Sequence, residues 1–307
     1  MRVLVTGAAG NLGRATMPVL AEAGHTPVGF DLRTIDGPYA SVHGDVRDPS
    51  SVLAAAEGCD AIVHAAALHG VHLAQWPSRD FWAINLLGTC HVYDAAREHG
   101  IRRVVLASTM GVYGQSLEPR ENAWAYVTEE APPLPKDVYG ESKLLAEKLA
   151  RYSARVDGIT TVALRFGMYV PAGFEHYGFR LLFGGVDERD VAQAVLLSLG
   201  HDLAQRFDVF DVMADTPFAP QDVGPLNDDP MVVVERYWPG SAELFAEKGI
   251  DPAEHLWGRA VWPIHKAKRE LGFRPAWDFG TFLDAVREDA TERFPFLGAT
   301  QWGVAAG

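Results

Sequence analysis

The sequence predicts an α/β protein built on a doubly wound parallel sheet, with a smaller, mostly helical region towards the C-terminal end. Three observations carry this prediction. Runs rich in Val, Ile and Leu alternate with stretches of helical period along the N-terminal half, as strands buried on both faces require. A glycine-rich loop, "VTGAAGNLGRA", leads straight from the first apolar run into the first helical stretch. After Pro171 the alternation stops, and the chain becomes rich in proline, aspartate and aromatic residues.

Taken in order, the strand candidates are "RVLVTG" (2–7), "TPVGFD" (26–31), "AIVHAA" (61–66), "RVVLAS" (103–108) and "TVALRF" (161–166). Helical stretches lie at 11–23, 50–57, 81–99 and 141–156. A helix near 187–200 and a strand "RFDVFDVM" (206–213) close the first region. The division expected is a cofactor-binding unit over 1–213, with 168–185 inserted on the substrate side, and a substrate region over 214–307.

Composition excludes several classes of function. Of 307 residues, 48% are hydrophobic and 22% charged, which is ordinary for a soluble globular protein. The net charge of −13 disfavours a general nucleic-acid binder. The two cysteines, Cys59 and Cys90, match no metal-ligand or disulfide spacing and are read as reduced thiols. No apolar run reaches the length of a membrane span, and a strand beginning at Arg2 leaves no room for a signal peptide. A cytoplasmic protein with no membrane partner is expected.

Gly7, Gly10 and Gly13 stand at three-residue steps between strand and helix. Glycine at these points permits a tight turn, close approach of a pyrophosphate, and close packing of helix on strand. The amides near Asn11 and Leu12, at the helix start, can hold phosphate oxygens. Asp31 closes the second strand, where a carboxylate meets the ribose hydroxyls of a dinucleotide and repels a 2′-phosphate. NAD is therefore expected over NADP. Arg33 speaks the other way, and a turn-forming carboxylate is the structural alternative for Asp31.

The pieces "TGAAGNLG", "GDVRD" (44–48), "HAAA" (64–67), "NLLGT" (85–89), "STMGVYG" (108–114), "YGESK" (139–143) and "VDERDVAQA" (186–194) follow one another in order, with "HKAKRELGFRP" (265–275) near the end. This series resembles the extended short-chain dehydrogenase/reductases, or NAD-dependent epimerase/dehydratases, whose cofactor unit is a Rossmann fold. The resemblance implies that Asp45 and Val46 lie by the adenine and that Ala65, Ala66 and Ala67 run along the cofactor. It implies that Asn85 supports the sheet, that Thr109, Tyr139 and Lys143 form the catalytic set, and that the protein is a homodimer. In such a dimer helices 81–99 and 141–156 pair, presenting Leu86, Leu87, Tyr93, Leu144, Leu145 and Tyr152.

Elementary chemistry agrees with the catalytic set. A tyrosine is a poor base at neutral pH unless its phenolate is stabilised, and Lys143, one helical turn from Tyr139, supplies positive charge on the same face. Lys143 can also bond the nicotinamide ribose, while Thr109 holds the substrate oxygen. Thr109 is followed by Met110 and Gly111 rather than the Asp-Glu pair of family dehydratases, so dehydration is not expected. The short interval between Pro171 and Val186 favours a substrate smaller than a nucleotide sugar. That shortness resembles uronate dehydrogenases, in which an arginine at the position of Arg180 grips a carboxylate; a surface or interface arginine is the alternative. His69 and His176 are further candidate substrate residues. His69 and His72 have no evident third ligand for a metal.

The function expected is NAD-dependent oxidation of a secondary alcohol of a sugar, sugar acid or related polyol, with a sugar-like small molecule, neutral or anionic, as partner. An epimerase that oxidises and re-reduces one carbon, and a non-catalytic NAD-sensing regulator, are the alternatives.

Overall fold

The computed structural model describes residues 1–35, 37–117, 124–256 and 260–295. Its strands are β1 (Arg2–Thr6), β2 (Thr26–Asp31), β3 (Ala40–His43), β4 (Ala61–His64), β5 (Arg103–Thr109), β6 (Ala125–Tyr126), β7 (Thr160–Phe166), β8 (Phe207–Val212) and β9 (Ala260–Val261). Seven of them form one parallel sheet in the order β3-β2-β1-β4-β5-β7-β8. Side chains alternate across it as the pleat demands. Val3 and Val5 join a core with Val105, Ala107, Val162 and Leu164, whereas Leu4 joins a second core with Ile62, Val104 and Leu106.

Helices cover both faces. α1 (Asn11–Glu22) and α7 (Glu188–Gly200) contribute Leu12, Met17, Leu20, Val191 and Val195 to the first core. α2 (Pro49–Ala56), α3 (Ser78–Phe81), α4 (Gly88–Glu98) and α5 (Val138–Val156) close the second with Val52, Phe81, Val92, Ala146 and Ala150. Aspartates start three of these helices: Asp48, Asp137 and Asp187 each accept a backbone N–H of the first turn.

Two elements differ from the sequence expectation. β3 was not anticipated, because its four residues sit at the sheet edge, mostly exposed, and show no apolar run. The helix expected over 81–99 begins at Ser78 and contains a π-helical stretch, Trp82–Leu87, between α3 and α4. Such a widened turn shifts side-chain register, and here Asn85, within it, is buried.

A third core lies beyond the sheet. α6 (Phe174–Arg180), from the segment expected as an insertion, packs with α8 (Val223–Asp228), α9 (Pro230–Tyr237), α10 (Ser241–Lys248) and α11 (Phe279–Arg287). Phe179 is its centre, with ring centroids 5.0 Å from Phe245 and 5.7 Å from Phe279. β6 pairs with β9, so the chain between β5 and α5 is tied to the C-terminal region.

The surface expected for dimerisation needs correction at two positions. Tyr93 and Leu144 are buried, Tyr93 because its hydroxyl bonds Thr161 Oγ1 at 2.9 Å inside the second core. Leu87, Tyr152 and Val156 are exposed. Among the described residues no helix is long and apolar enough to cross a membrane.

Candidate active site

A cleft of about 400 Å³ opens at the C-terminal ends of the strands, where the sheet order reverses between β1 and β4. This is where open parallel sheets bind ligands, since only there do loops diverge to opposite faces. Gly7, Gly10, Asn11 and Leu12 form one wall. Gly7 has φ +71°, and a Cβ there would lie 2.7 Å from the Ala66 nitrogen. Gly13 does not reach the cleft. It packs α1 on the loop so closely that a Cβ would stand 2.4 Å from Ala8. No side chain caps the start of α1, so its first amides are open to an anion.

The loop is braced by a hydrogen-bond chain whose proton order can be worked out. Thr89 Oγ1 donates to the Asn85 carbonyl, so His64 Nε2 must donate to Thr89 at 2.9 Å. His64 Nδ1 then accepts from Thr6 Oγ1 at 2.7 Å, and that oxygen accepts the Ala65 and Ala66 amides at 3.2 Å. Burial pushes His64 down to about 3, which keeps this tautomer neutral.

Asp31 lines the cleft and accepts from the Ala9 amide (3.0 Å), the Arg33 amide (3.0 Å) and Arg33 Nε (3.3 Å). Asp45, paired with Arg47 Nε at 2.8 Å, and Val46 line the same end. Ala65, Ala66 and Ala67 run along the middle. A glycine cradle that no side chain could share, open helix amides and a carboxylate beyond them fit a dinucleotide.

At the other end stand Thr109, Tyr139 and Lys143. Burial raises the Tyr139 phenol to about 12, and the nearby Thr109 side chain, whose Oγ1 accepts the Gly111 amide at 3.0 Å, opposes the rise. Lys143 Nζ donates to the Ala107 carbonyl at 2.8 Å, and burial draws its pKa down to about 8 against the pull of Glu147. Met110 lines the cleft beside Thr109. His69 lines it too, its ring centroid 5.9 Å from that of Tyr139, and burial holds it uncharged, down at about 3.

Asn85 does more than support the sheet. Its Nδ2 donates to the Leu68 carbonyl and Ser142 Oγ, both at 2.9 Å, and its Oδ1 accepts the Leu68 amide at 2.8 Å. Ser142 Oγ donates in turn to the Tyr139 carbonyl at 2.7 Å. The loop carrying His69 and the reactive turn of α5 are thus locked together.

Two expected substrate residues are not on the cleft wall. Arg180 is 3% exposed and lies behind Val170, to whose carbonyl its Nη2 donates at 2.6 Å. Its guanidinium sits 5.0 Å from the Tyr177 ring, and its Nε has no hydrogen-bond partner. His176 turns to His255, ring centroids 6.4 Å apart. Both side chains belong to α6, whose packing into the third core draws them off the cleft. Sequence reasoning missed the strip Phe166–Val170, although residues following a parallel strand are where a ligand is met. It also missed Glu147, legible as a further four-residue step after Lys143, whose partner Arg165 comes from another strand.

The chain matches the NAD dependent epimerase/dehydratase family over residues 3–181, more than half its length. It belongs to that family. It is 38% identical over 178 residues to the L-arabinose 1-dehydrogenase (NAD(P)(+)) of Haloferax volcanii, covering 56% of this chain and 68% of the relative. It is 32% identical over 206 residues to a uronate dehydrogenase of Pseudomonas putida, covering 63% and 69%. A UDP-glucose 4-epimerase of Corynebacterium glutamicum is 28% identical over 173 residues, covering 54% and 50%. The solved structure of a short-chain dehydrogenase/reductase superfamily protein from Agrobacterium tumefaciens with bound NAD shares the fold, with a TM-score of 0.70, 24% identity and coverage of 95% and 98%. The chain is therefore an NAD-dependent enzyme of the extended short-chain dehydrogenase type.

Asp31 predicts the choice between cofactors. Its carboxylate, already committed to Ala9 and Arg33, should make NADP bind at least tenfold more weakly than NAD in a fluorescence titration. Equal or tighter NADP binding would transfer the role to Arg33.

Proposed function

We propose that this enzyme oxidises a secondary alcohol of a free sugar or sugar acid, with Tyr139 as the base. The observation that carries the reading is the placing of Thr109, Tyr139 and Lys143 together on the wall of one glycine-walled cleft, with Lys143 one turn of α5 from Tyr139. NAD, when bound, accepts the hydride. Thr109 orients the substrate hydroxyl, and Tyr139 takes its proton. Burial opposes ionisation of Tyr139, so the Lys143 ammonium supplies the charge that makes a phenolate accessible near neutral pH. Lys143 also holds the nicotinamide ribose, while Gly7, Gly10, Asn11 and Leu12 bind the pyrophosphate and Asp31 the adenosine ribose. Met110 and His69 bound the substrate, the latter as a neutral hydrogen-bonding group.

Similarity to arabinose and uronate dehydrogenases supports a small, free substrate. Similarity to UDP-glucose 4-epimerases keeps an epimerase as the second reading. Residues 1–213 act as the cofactor unit, and 168–185 with 214–307 as the substrate cap. The free thiols Cys59 and Cys90 suit the cytoplasm.

Arg180 favours an acid over a neutral sugar. A buried guanidinium with one carbonyl partner and an unpaired Nε is costly, and an anionic substrate group reaching past Val170 would complete its shell.

Replacing Tyr139 by Phe should lower turnover by about 10²–10⁴-fold while NAD still binds. Activity within a few-fold of wild type, with any sugar that the enzyme oxidises, would remove Tyr139 from the mechanism.

Arg180→Ala should raise KM for a uronate far more than for the matching neutral sugar, because removing one partner of a buried ionic contact typically costs about 2–5 kcal/mol. Equal losses would assign Arg180 to the packing of α6.

A homodimer through α4 and α5 would cover exposed Leu87, Tyr152 and Val156. Light scattering at micromolar concentration should give twice the mass of the 33.5 kDa chain, and a monomer would refute the pairing.

A further inference from the structure

Beyond Lys143, the same stripe of α5 carries Glu147, only 4% exposed. Tyr139, Lys143 and Glu147 follow at four-residue steps, so their side chains leave one helix face. Glu147 is held on both oxygens. Oε1 accepts from Ser108 Oγ at 2.6 Å and Arg165 Nε at 2.9 Å, and Oε2 accepts from Arg165 Nη2 at 2.7 Å. Ser108 lies between Ala107, whose carbonyl takes the Lys143 ammonium, and Thr109, whose side chain acts on the Tyr139 phenol. Two consecutive residues at the end of β5, Ala107 and Ser108, therefore fix two successive turns of α5. Arg165 in turn donates to the Tyr113 hydroxyl at 2.7 Å, and that hydroxyl donates to Asp211 on β8.

A buried ion pair gains little stability over apolar residues of the same volume, so its presence here calls for another role. Lys143 supplies one. Among the described residues its ammonium has no direct carboxylate partner, and Glu147 is the negative charge that acts on it.

We propose that Glu147 is a positioning residue for the Tyr139–Lys143 pair, its fixed negative charge keeping the buried ammonium protonated and its bonds holding α5 in register with the end of β5. This rests on the reading of Tyr139 as the base. The titratable groups that act on Lys143 are Glu147 on α5, His64 on β4 and His69 in the loop after it, both histidines uncharged, and those that act on Tyr139 are Asp137 at the start of α5 and Tyr169 after β7. Glu147 faces Arg165 on β7 and Ser108 on β5, with Asp211 on β8 further off, its carboxyl raised well above the usual range by burial. The sign follows from these neighbours. Burial pulls Lys143 down to about 8 and Glu147 opposes it. Without that charge Lys143 loses its proton at lower pH, phenolate stabilisation goes with it, and Tyr139 ionises at higher pH.

The test needs no substrate. Tyrosinate absorbance is titrated in NAD-saturated protein, and the Tyr139 transition is isolated by subtracting the same titration of Tyr139→Phe. In Glu147→Gln the midpoint should move up by about one unit, a tenfold loss of phenolate at a fixed pH below it. A merely structural role would lower the melting temperature and leave the midpoint in place. If Glu147→Gln fails to fold because Arg165 is left uncompensated, the double variant Glu147→Gln/Arg165→Met removes both charges and should show a smaller upward shift. An unmoved midpoint in the folded variant overturns the proposal for Glu147 alone. A wild-type Tyr139 that ionises no lower than an ordinary tyrosine overturns the base reading and the Glu147 proposal together.

Discussion

The pair formed by Glu147 and Arg165 joins the middle of α5 to β7 inside the protein, where neither charge can be released without its partner. Because a helix is rigid over a few turns, fixing it there also fixes the residues on the same stripe. Lys143 is brought to the Ala107 carbonyl, and Tyr139 is brought to Thr109. From the opposite side Asn85 grips Ser142. The reactive turn is thus restrained by β5, by β7 and by the π-helical stretch before α4, and its geometry does not depend on a loop.

The sheet sets the position of everything else. With helices on both faces, the strand ends are the only part of it that a ligand can reach. The glycine loop uses that opening at one end, where Gly7 brings the backbone against Ala66 and leaves no room for a side chain. Charge is distributed unevenly along the cleft. Asp31, Arg33 and Asp45 occupy the end assigned to adenosine, whereas at the reactive end Lys143 is the charged group among the described lining residues. There the buried Lys143 shares the wall with the Tyr139 phenol, and the neutral His69 ring lies 5.9 Å from the Tyr139 ring between centroids.

The third core explains why the substrate side is harder to assign than the cofactor side. α6 leaves the sheet after β7 and packs on Phe245, Phe279 and Phe282, taking Arg180 and His176 with it. The region beyond the sheet is therefore held by contacts between segments far apart in sequence, including the β6–β9 pair. The cofactor wall, by contrast, is assembled from residues close to the ends of β1, β2 and β4.

The sequence by itself determined the doubly wound sheet, the glycine loop, Asp31 at the end of the second strand and the shared helix face of Tyr139 and Lys143, whereas Thr109 joined that pair through the family resemblance. The former are local: a strand buried on both faces must be an apolar run, a tight pyrophosphate turn must be glycine, and a four-residue step must share a helix face. The edge strand Ala40–His43 was not legible, since half-exposed residues carry no apolar signal. Tertiary structure alone decided that Glu147 meets Arg165, that Asn85 reaches Ser142, that Tyr93 and Leu144 face inward, and that Arg180 stands behind Val170. Each of these depends on which element lies opposite, and the spacing of residues along one element holds no record of its neighbour.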